Sequence, residues 1–220
     1  MMSASSLFQE EQQHIEKLII QLANRTKDQL TQAVDCLYHA NVVEAKQVIK
    51  TDEHLDQLDH DINEEAIVLI ARQQPVARDL RRLVVALRIS TDLERMADNA
   101  KNVAKSTVHL GSHPTVEAHP SIKEMKNLAI EMIDLAMRAY TYEDISLARK
   151  LASLDDRLDH LYASMLQELL EEKATDSQEI QHIMQMAFSG RYVERIGDHA
   201  TNIGEDVMYL VKGESLDLNE

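Results

Sequence analysis

Two pairs of acids carry the chemistry this sequence can offer. Glu94 and Asp98 stand four residues apart, and so do Glu194 and Asp198. On an α-helix that spacing is just over one turn, so both carboxylates of a pair leave the same face. Asn102 and Asn202 extend each row by a further turn, and Asp52/Asp56 and Asp155/Asp159 repeat the spacing earlier in the chain. Two such rows facing each other across a helix–helix groove would make a hard-oxygen site for Mg, Mn or Fe, ions that take carboxylate oxygens and can be bridged by them. A solvated acidic edge would also explain the rows, because like charges at i,i+4 cost only about 0.2–0.5 kcal/mol on an exposed helix. Recurrence favours the shared site. The acids repeat in both halves, while positions read as their surface neighbours differ, Asp92 against Tyr192 and Lys101 against Thr201.

Long helices must position these rows, and the composition supplies them. Only 5 glycines, 3 prolines and 4% aromatics occur in 220 residues, with 44% hydrophobic content. Residues that lose little rotamer freedom in a helix dominate, and no stretch alternates as a strand would. The fold class expected is all-α. Cap residues followed three positions later by an acid or amide mark helix starts: Ser6 with Gln9, Asn41 with Glu44, Thr141 with Asp144, Thr175 with Gln178. Pro75 favours a first turn, His109 to Pro120 breaks the periodicity, and Gly213 suits a C-cap. Six helices are predicted, at about 6–38, 41–72, 75–108, 120–139, 141–173 and 175–212.

The halves are copies. Glu94-Arg95-Met96-Ala97-Asp98-Asn99-Ala100-Lys101-Asn102 corresponds to Glu194-Arg195-Ile196-Gly197-Asp198-His199-Ala200-Thr201-Asn202, and Asp52-Glu53-His54-Leu55-Asp56 to Asp155-Asp156-Arg157-Leu158-Asp159. Two matched segments in the same order imply a duplicated unit, two tandem three-helix bundles end to end over 1–110 and 111–220. On helical wheels Ile89, Leu93, Met96 and Ala100 form a buried face. Ser90, Ala97 and Ala104 form a small-residue seam beside it, matched by Gly190, Gly197 and Gly204. Such a seam lets helices approach closely and carries the neighbouring carboxylates together.

Gln74-Pro75-Val76-Ala77-Arg78-Asp79-Leu80-Arg81, then Asp92-Leu93-Glu94-Arg95-Met96-Ala97-Asp98-Asn99-Ala100, closely resemble the PhoU family of phosphate-transport accessory proteins. Glu194 to Ile203 resembles that family's second copy, and the resemblance spans about residues 7–212. It implies two three-helix PhoU domains, a homodimer, and metal clusters (Mg, Mn, Fe or Zn) held by the paired acids. The metal residues carried over are Glu94, Asp98, Glu194 and Asp198, with Asp52, Asp56, Asp155 and Asp159 behind them. It also implies a negative regulator of phosphate signalling that contacts the phosphate ABC transporter ATPase and a sensor histidine kinase. Met96-Ala97 and Asn99 depart from the Ile-Gly and His that the family often has, so the first site is expected to differ in fit or metal preference.

Other features point the same way or nowhere. A formal charge of −15 repels phosphate backbones, so no nucleic-acid partner is expected. The start lacks a signal-peptide pattern, no apolar run approaches a membrane span, and the lone Cys36 suits a reducing compartment; cytoplasm is the expectation. Membrane association would come only through partners. Arg72, Arg78, Arg81, Arg82, Arg88 and Arg95 either dock an acidic partner or pair internally with Asp79, Asp92 and other acids. His109, His113 and His119 are read as exposed linker residues, and Met125, Met132 and Met137 as core filler. Phosphate-cradling loops, nucleophile elbows and Cys/His cages are missing, so regulation is expected and not catalysis. Two alternatives remain: a ferritin-like iron-handling bundle or oxidase built on Glu11/His14 and Glu179/His182, and a metal-dependent phosphohydrolase.

Overall fold

The computed structural model describes residues 4–115, 117–171 and 176–214. The described residues form helices and no strand, as expected: α1 Ala4–His39, α2 Val42–Thr51, α3 Glu53–Gln73, α4 Ala77–Leu110, α5 Pro120–Tyr142, α6 Ile145–Glu171 and α7 Ser177–Lys212. The segment expected as one helix over 41–72 is divided at Asp52. Its angles stay helical (φ −58, ψ −35), but its carbonyl accepts from both Leu55 N (2.8 Å) and Asp56 N (3.1 Å), a tightened turn between α2 and α3.

Helix ends follow the local chemistry, with two corrections. Asn41 accepts from Glu44 N (3.2 Å) and its amide donates to Glu44 Oε2 (2.8 Å), a reciprocal cap as predicted. Thr141 is not a cap. Here α5 runs on through Tyr142, Glu143 turns left-handed (φ 50), and Asp144 caps α6 by accepting from Ser146 N (2.7 Å) and Leu147 N (3.3 Å). A carboxylate that can take two amides at once outcompetes a hydroxyl upstream. At the other correction, α4 begins at Ala77, because Gln74 turns left-handed (φ 47) and Val76 stays extended. Gly213 ends α7 at φ 80, its N–H reaching Tyr209 O (2.8 Å). The side chain of Ser6 and all of Thr175 lie outside the described residues; Asp176 caps α7, accepting from Gln178 N (2.8 Å) and Glu179 N (2.9 Å).

The halves lie side by side, which corrects the end-to-end arrangement. The most extensive helix pairing is α4 against α7. It is antiparallel: Arg81 reaches the Leu210 carbonyl (3.4 Å), Arg88 pairs with Asp206 (3.0 Å) and His199 meets Asp92 (2.9 Å). One continuous core joins the halves, with Ile19, Leu93, Met96, Met125, Met132 and Ile196 essentially inaccessible. Merging two small cores removes more apolar surface from water than two separate bundles of this length would. Met125, Met132 and Met137 are core residues, as read from the sequence.

Candidate metal centre

Close packing of α6 on α7 builds the cluster of the second half. A Cβ on Gly190 would strike Met165, and one on Gly197 would come within 2.4 Å of Leu158 Cδ2 and 3.2 Å of Asp155 Oδ1. Only glycine permits that approach. It brings Asp159 of α6 to Glu194 and Asp198 of α7, one oxygen of each lying within 4.8 Å of the others. Asp155 stands one turn earlier, and both it and Glu194 are only 6% exposed. Asp155 Oδ1 and Glu194 Oε2 are buried without a hydrogen-bond partner, while Arg191, half exposed, donates to Glu194 Oε1. Burial, with Asp198 beside it, pushes Glu194 up to about 7. Burial, then Asp159 and Asp198, push Asp155 up to about 6, and burial and Asp198 also raise Asp159. Orphaned, mutually repelling carboxylate oxygens converging on one point are what a hard cation would satisfy. The donor set fits a metal.

The first half assembles the same acids differently. Asp52, at the α2–α3 junction, is buried, and Asp56, Glu94 and Asp98 surround it more openly. Burial, then Asp98, Asp56, Asp59 and Asp52, push Glu94 up to about 7. Here, however, Lys101 Nζ donates to both Asp52 Oδ2 and Asp98 Oδ1, and Gln29 Nε2 donates to Asp52 Oδ1 (2.8 Å). Burial works against the Lys101 charge, but Asp52 and Asp98 outweigh it and hold its pKa above the ordinary lysine value. As folded, this cluster does not fit a metal at Asp52 and Asp98, because an ammonium already holds both.

Lys101 and Asp92 are therefore not surface neighbours of the rows, as their positions suggested. The Lys101 side chain is 19% exposed. Asp92 is buried against α7, accepting from His199 Nδ1 (2.9 Å) and Asn202 Nδ2 (3.2 Å). The cause is the α4–α7 pairing, which covers a flank that an isolated bundle would expose. It also turns Asn202 away from its acid row, while Asn102 accepts from Lys105 (3.2 Å). Gln29 was missed by sequence reasoning. The signal was present: the α1–α2 turn at Ala40-Asn41 matches the α5–α6 turn at Glu143-Asp144, and this register sets Gln29 opposite Met132.

The remaining candidates resolve around the site. Arginines of the cluster pair internally, but not with Asp79 or Asp92: Arg72 with Glu11, Arg78 and Arg82 with Glu143, Arg88 with Asp206. Arg81 and Arg88 also lie over the Tyr209 ring. The E-x-x-H pairs do not meet, since α1 and α7 do not pack on each other among the described residues. His14 faces Glu65 (3.5 Å), and the ring of His182 accepts from Thr115 N (3.0 Å). His109 and His113 are exposed as expected, though His109 sits in the last turn of α4 and not in the linker; His119 instead caps α5, accepting from Ser121 N (3.3 Å). Cys36 is buried, and burial pushes its thiol up to about 11.

A pH dependence follows for the metal-free protein. Glu94, Asp155 and Glu194, and Asp206 away from both clusters (held at about 6, chiefly by burial), all titrate higher folded than unfolded. Between roughly pH 4 and 7 the unfolded chain therefore binds fewer protons, so stability falls as pH rises through that window. Thermal melts in chelator should show this decline, and Glu194→Gln should flatten it; melting temperatures that rise from pH 5 to 7 would contradict the burial of these acids.

A sequence model of the PhoU domain matches residues 19–107 and 122–207. The chain is 33% identical over 198 residues to the phosphate-specific transport system accessory protein PhoU homolog of Xylella fastidiosa (strain 9a5c), covering 90% of this chain and 84% of that one. Against the homolog of Pseudomonas aeruginosa it is 31% identical over 212 residues, covering 95% and 87%. The crystal structure of PhoU from Pseudomonas aeruginosa superposes with a TM-score of 0.87 at 30% identity, over 94% of this chain and 100% of that one. The phosphate transport system regulatory protein PhoU from Streptococcus pneumoniae gives 0.88 at 25% identity, over 96% and 99%.

Proposed function

The chain belongs to the PhoU family, and from that premise we propose that it is a metal-dependent negative regulator of phosphate uptake and signalling, working in the cytoplasm by protein contact. Its relatives are named accessory proteins of phosphate-specific transport. The partners in this reading are the ATPase of the phosphate ABC transporter and its sensor histidine kinase, with a second copy of the chain in a homodimer. No described helix is long and apolar enough to cross a membrane, so membrane contact in this reading runs through those partners. An exposed apolar row, Ile180, Met184 and Phe188, at four-residue spacing on α7, offers a face for such contact.

One observation carries the metal part: the orphaned, buried Glu194 Oε2 in a group with Asp159 and Asp198. Those three side chains would hold the ion, and Asp155 would support them from the next turn. Oxygen donors alone suit Mg, Mn or Fe better than zinc, whose protein sites are built mainly on sulfur and nitrogen. When bound, the ion would add positive charge beyond the one that Arg191 brings to Glu194. Glu194 and Asp198 project from α7 and Asp159 from α6, so the occupied cluster clamps those two helices and fixes the surface they present to partners. Deleting the gene should raise phosphatase expression in phosphate-replete cells, and the tagged chain should retain the transporter ATPase or the kinase. Unchanged expression together with failed retention would remove the regulatory reading.

A further inference from the structure

The clusters of the two halves are repeats in their acids but not in what neutralises them. In the first half both oxygens of the buried Asp52 are satisfied, Oδ1 by the Gln29 amide and Oδ2 by the Lys101 ammonium. In the second half both donors are replaced. Met132 stands where Gln29 stands, with its Cε 3.4 Å from a Cβ built on Gly197. Thr201 stands where Lys101 stands, and its hydroxyl donates to the Gly197 carbonyl (3.1 Å). A thioether and a hydroxyl shared with the Gly197 carbonyl leave Asp155 Oδ1 without a partner, although Thr201 still lowers the Asp155 carboxyl against the pull of burial. Arg191 serves only Glu194 Oε1 there, so the half that loses both donors at its buried aspartate is the half whose carboxylates converge tightly on one point.

The geometry points to Lys101 as a built-in cation, whose ammonium takes in the first cluster the place a metal takes in the second. This rests on the metal reading of the second cluster. A lysine ammonium is a compact point charge with three donors, and here it bridges carboxylates from the α2–α3 junction and from α4, as a metal would. A metal at Asp52 and Asp98 would have to expel it from beside two carboxylates, at a position where its side chain is 19% exposed. Thr201 reaches Asp155 only with a neutral hydroxyl and carries no charge to do the same. The chain is thus asymmetric. One bundle is closed by its own side chain whatever the metal supply, and the other depends on that supply.

Equilibrium dialysis of the full chain against manganese(II), with elemental analysis of the bound metal, tests this. Wild type should lose its manganese with Asp159→Ala/Glu194→Ala/Asp198→Ala and keep it with Glu94→Ala. Lys101→Thr should gain metal, roughly doubling the amount bound per chain, and adding Asp52→Asn should cancel the gain. Lys101→Met, which keeps the aliphatic stem and deletes the charge, should show the same gain and decides the matter if the threonine variant misfolds by circular dichroism. In chelator, Lys101→Thr should melt lower than wild type, and manganese should restore it. Unchanged metal content in both Lys101 variants, or loss of wild-type metal with Glu94→Ala, would overturn the inference while leaving the second cluster intact. Wild type that binds no manganese would overturn the metal reading itself and this inference with it.

Discussion

Replacing Asp159, Glu194 and Asp198 together by alanine is expected to take the protein from stoichiometric metal to none detectable, while its helical circular dichroism survives. The three oxygens within 4.8 Å of one another are the convergent hard donors of the second half, and a hard cation loses its site when its carboxylates go. The helices do not depend on the cluster, because their packing rests on Leu151, Leu158, Val193 and Ile196, all fully buried. Stability supplies a second readout. In metal-free wild type the same carboxylates are held close together at a cost: burial first, then Asp198 beside it, pushes Glu194 up to about 7. At pH 8 in chelator the alanine variant should therefore melt higher than wild type, and in saturating metal it should melt lower. A variant that retains metal, or that melts lower in chelator, would show that these acids are stabilising partners of something other than an ion. Arg191 is no obstacle, since its side chain is half exposed and solvates once Glu194 is gone.

The seam glycine is the second large effect. Gly197→Ala should destabilise the protein even though alanine favours a helix over glycine by about 1 kcal/mol. The added Cβ lies 2.4 Å from Leu158 Cδ2, and Leu158 is fully buried, so any shift must displace packed neighbours. Overpacking of this kind costs about 1–3 kcal/mol, occasionally more, a drop of roughly 2–4 °C per kcal/mol for a chain of this length. Relief by moving α6 outward would withdraw Asp159 from Glu194 and Asp198, and metal affinity should then fall as well. The repeat provides the control. Ala97 fills the equivalent position in α4 and is itself fully buried, so Ala97→Gly should lose about the helix-propensity difference and leave bound metal unchanged. Calorimetry on the two variants checks the pair. A Gly197→Ala protein that melts above wild type would mean that α6 and α7 do not approach as closely as the seam requires.

Much of the architecture was legible in the residues. The helix type followed from composition, and Asn41 and Gly213 marked ends that the backbone respects, because a cap acts on amides two or three residues away. The buried face of α4 was read correctly for the same reason: Ile89, Leu93, Met96 and Ala100 share a face by helical period alone. Errors arose where two local signals competed, as when Asp144 displaced Thr141 as the cap of α6. The break at Asp52 had no glycine or proline to announce it.

By itself the sequence determined the helices of the described residues, read as six and differing by that one break, together with the repeated motifs, the pairs of acids on each helix face and the family. All of these are properties of neighbours along the chain, where the backbone's own period sets direction. Only the tertiary structure decided that the halves share a core, that Asp92 lies buried between α4 and α7, and that a lysine reaches into one cluster while a threonine leaves the other open. A helical position fixes where a side chain begins. Where a flexible four-carbon stem places its charge depends on which carboxylates other helices bring within reach, and that is settled only when all the helices have packed.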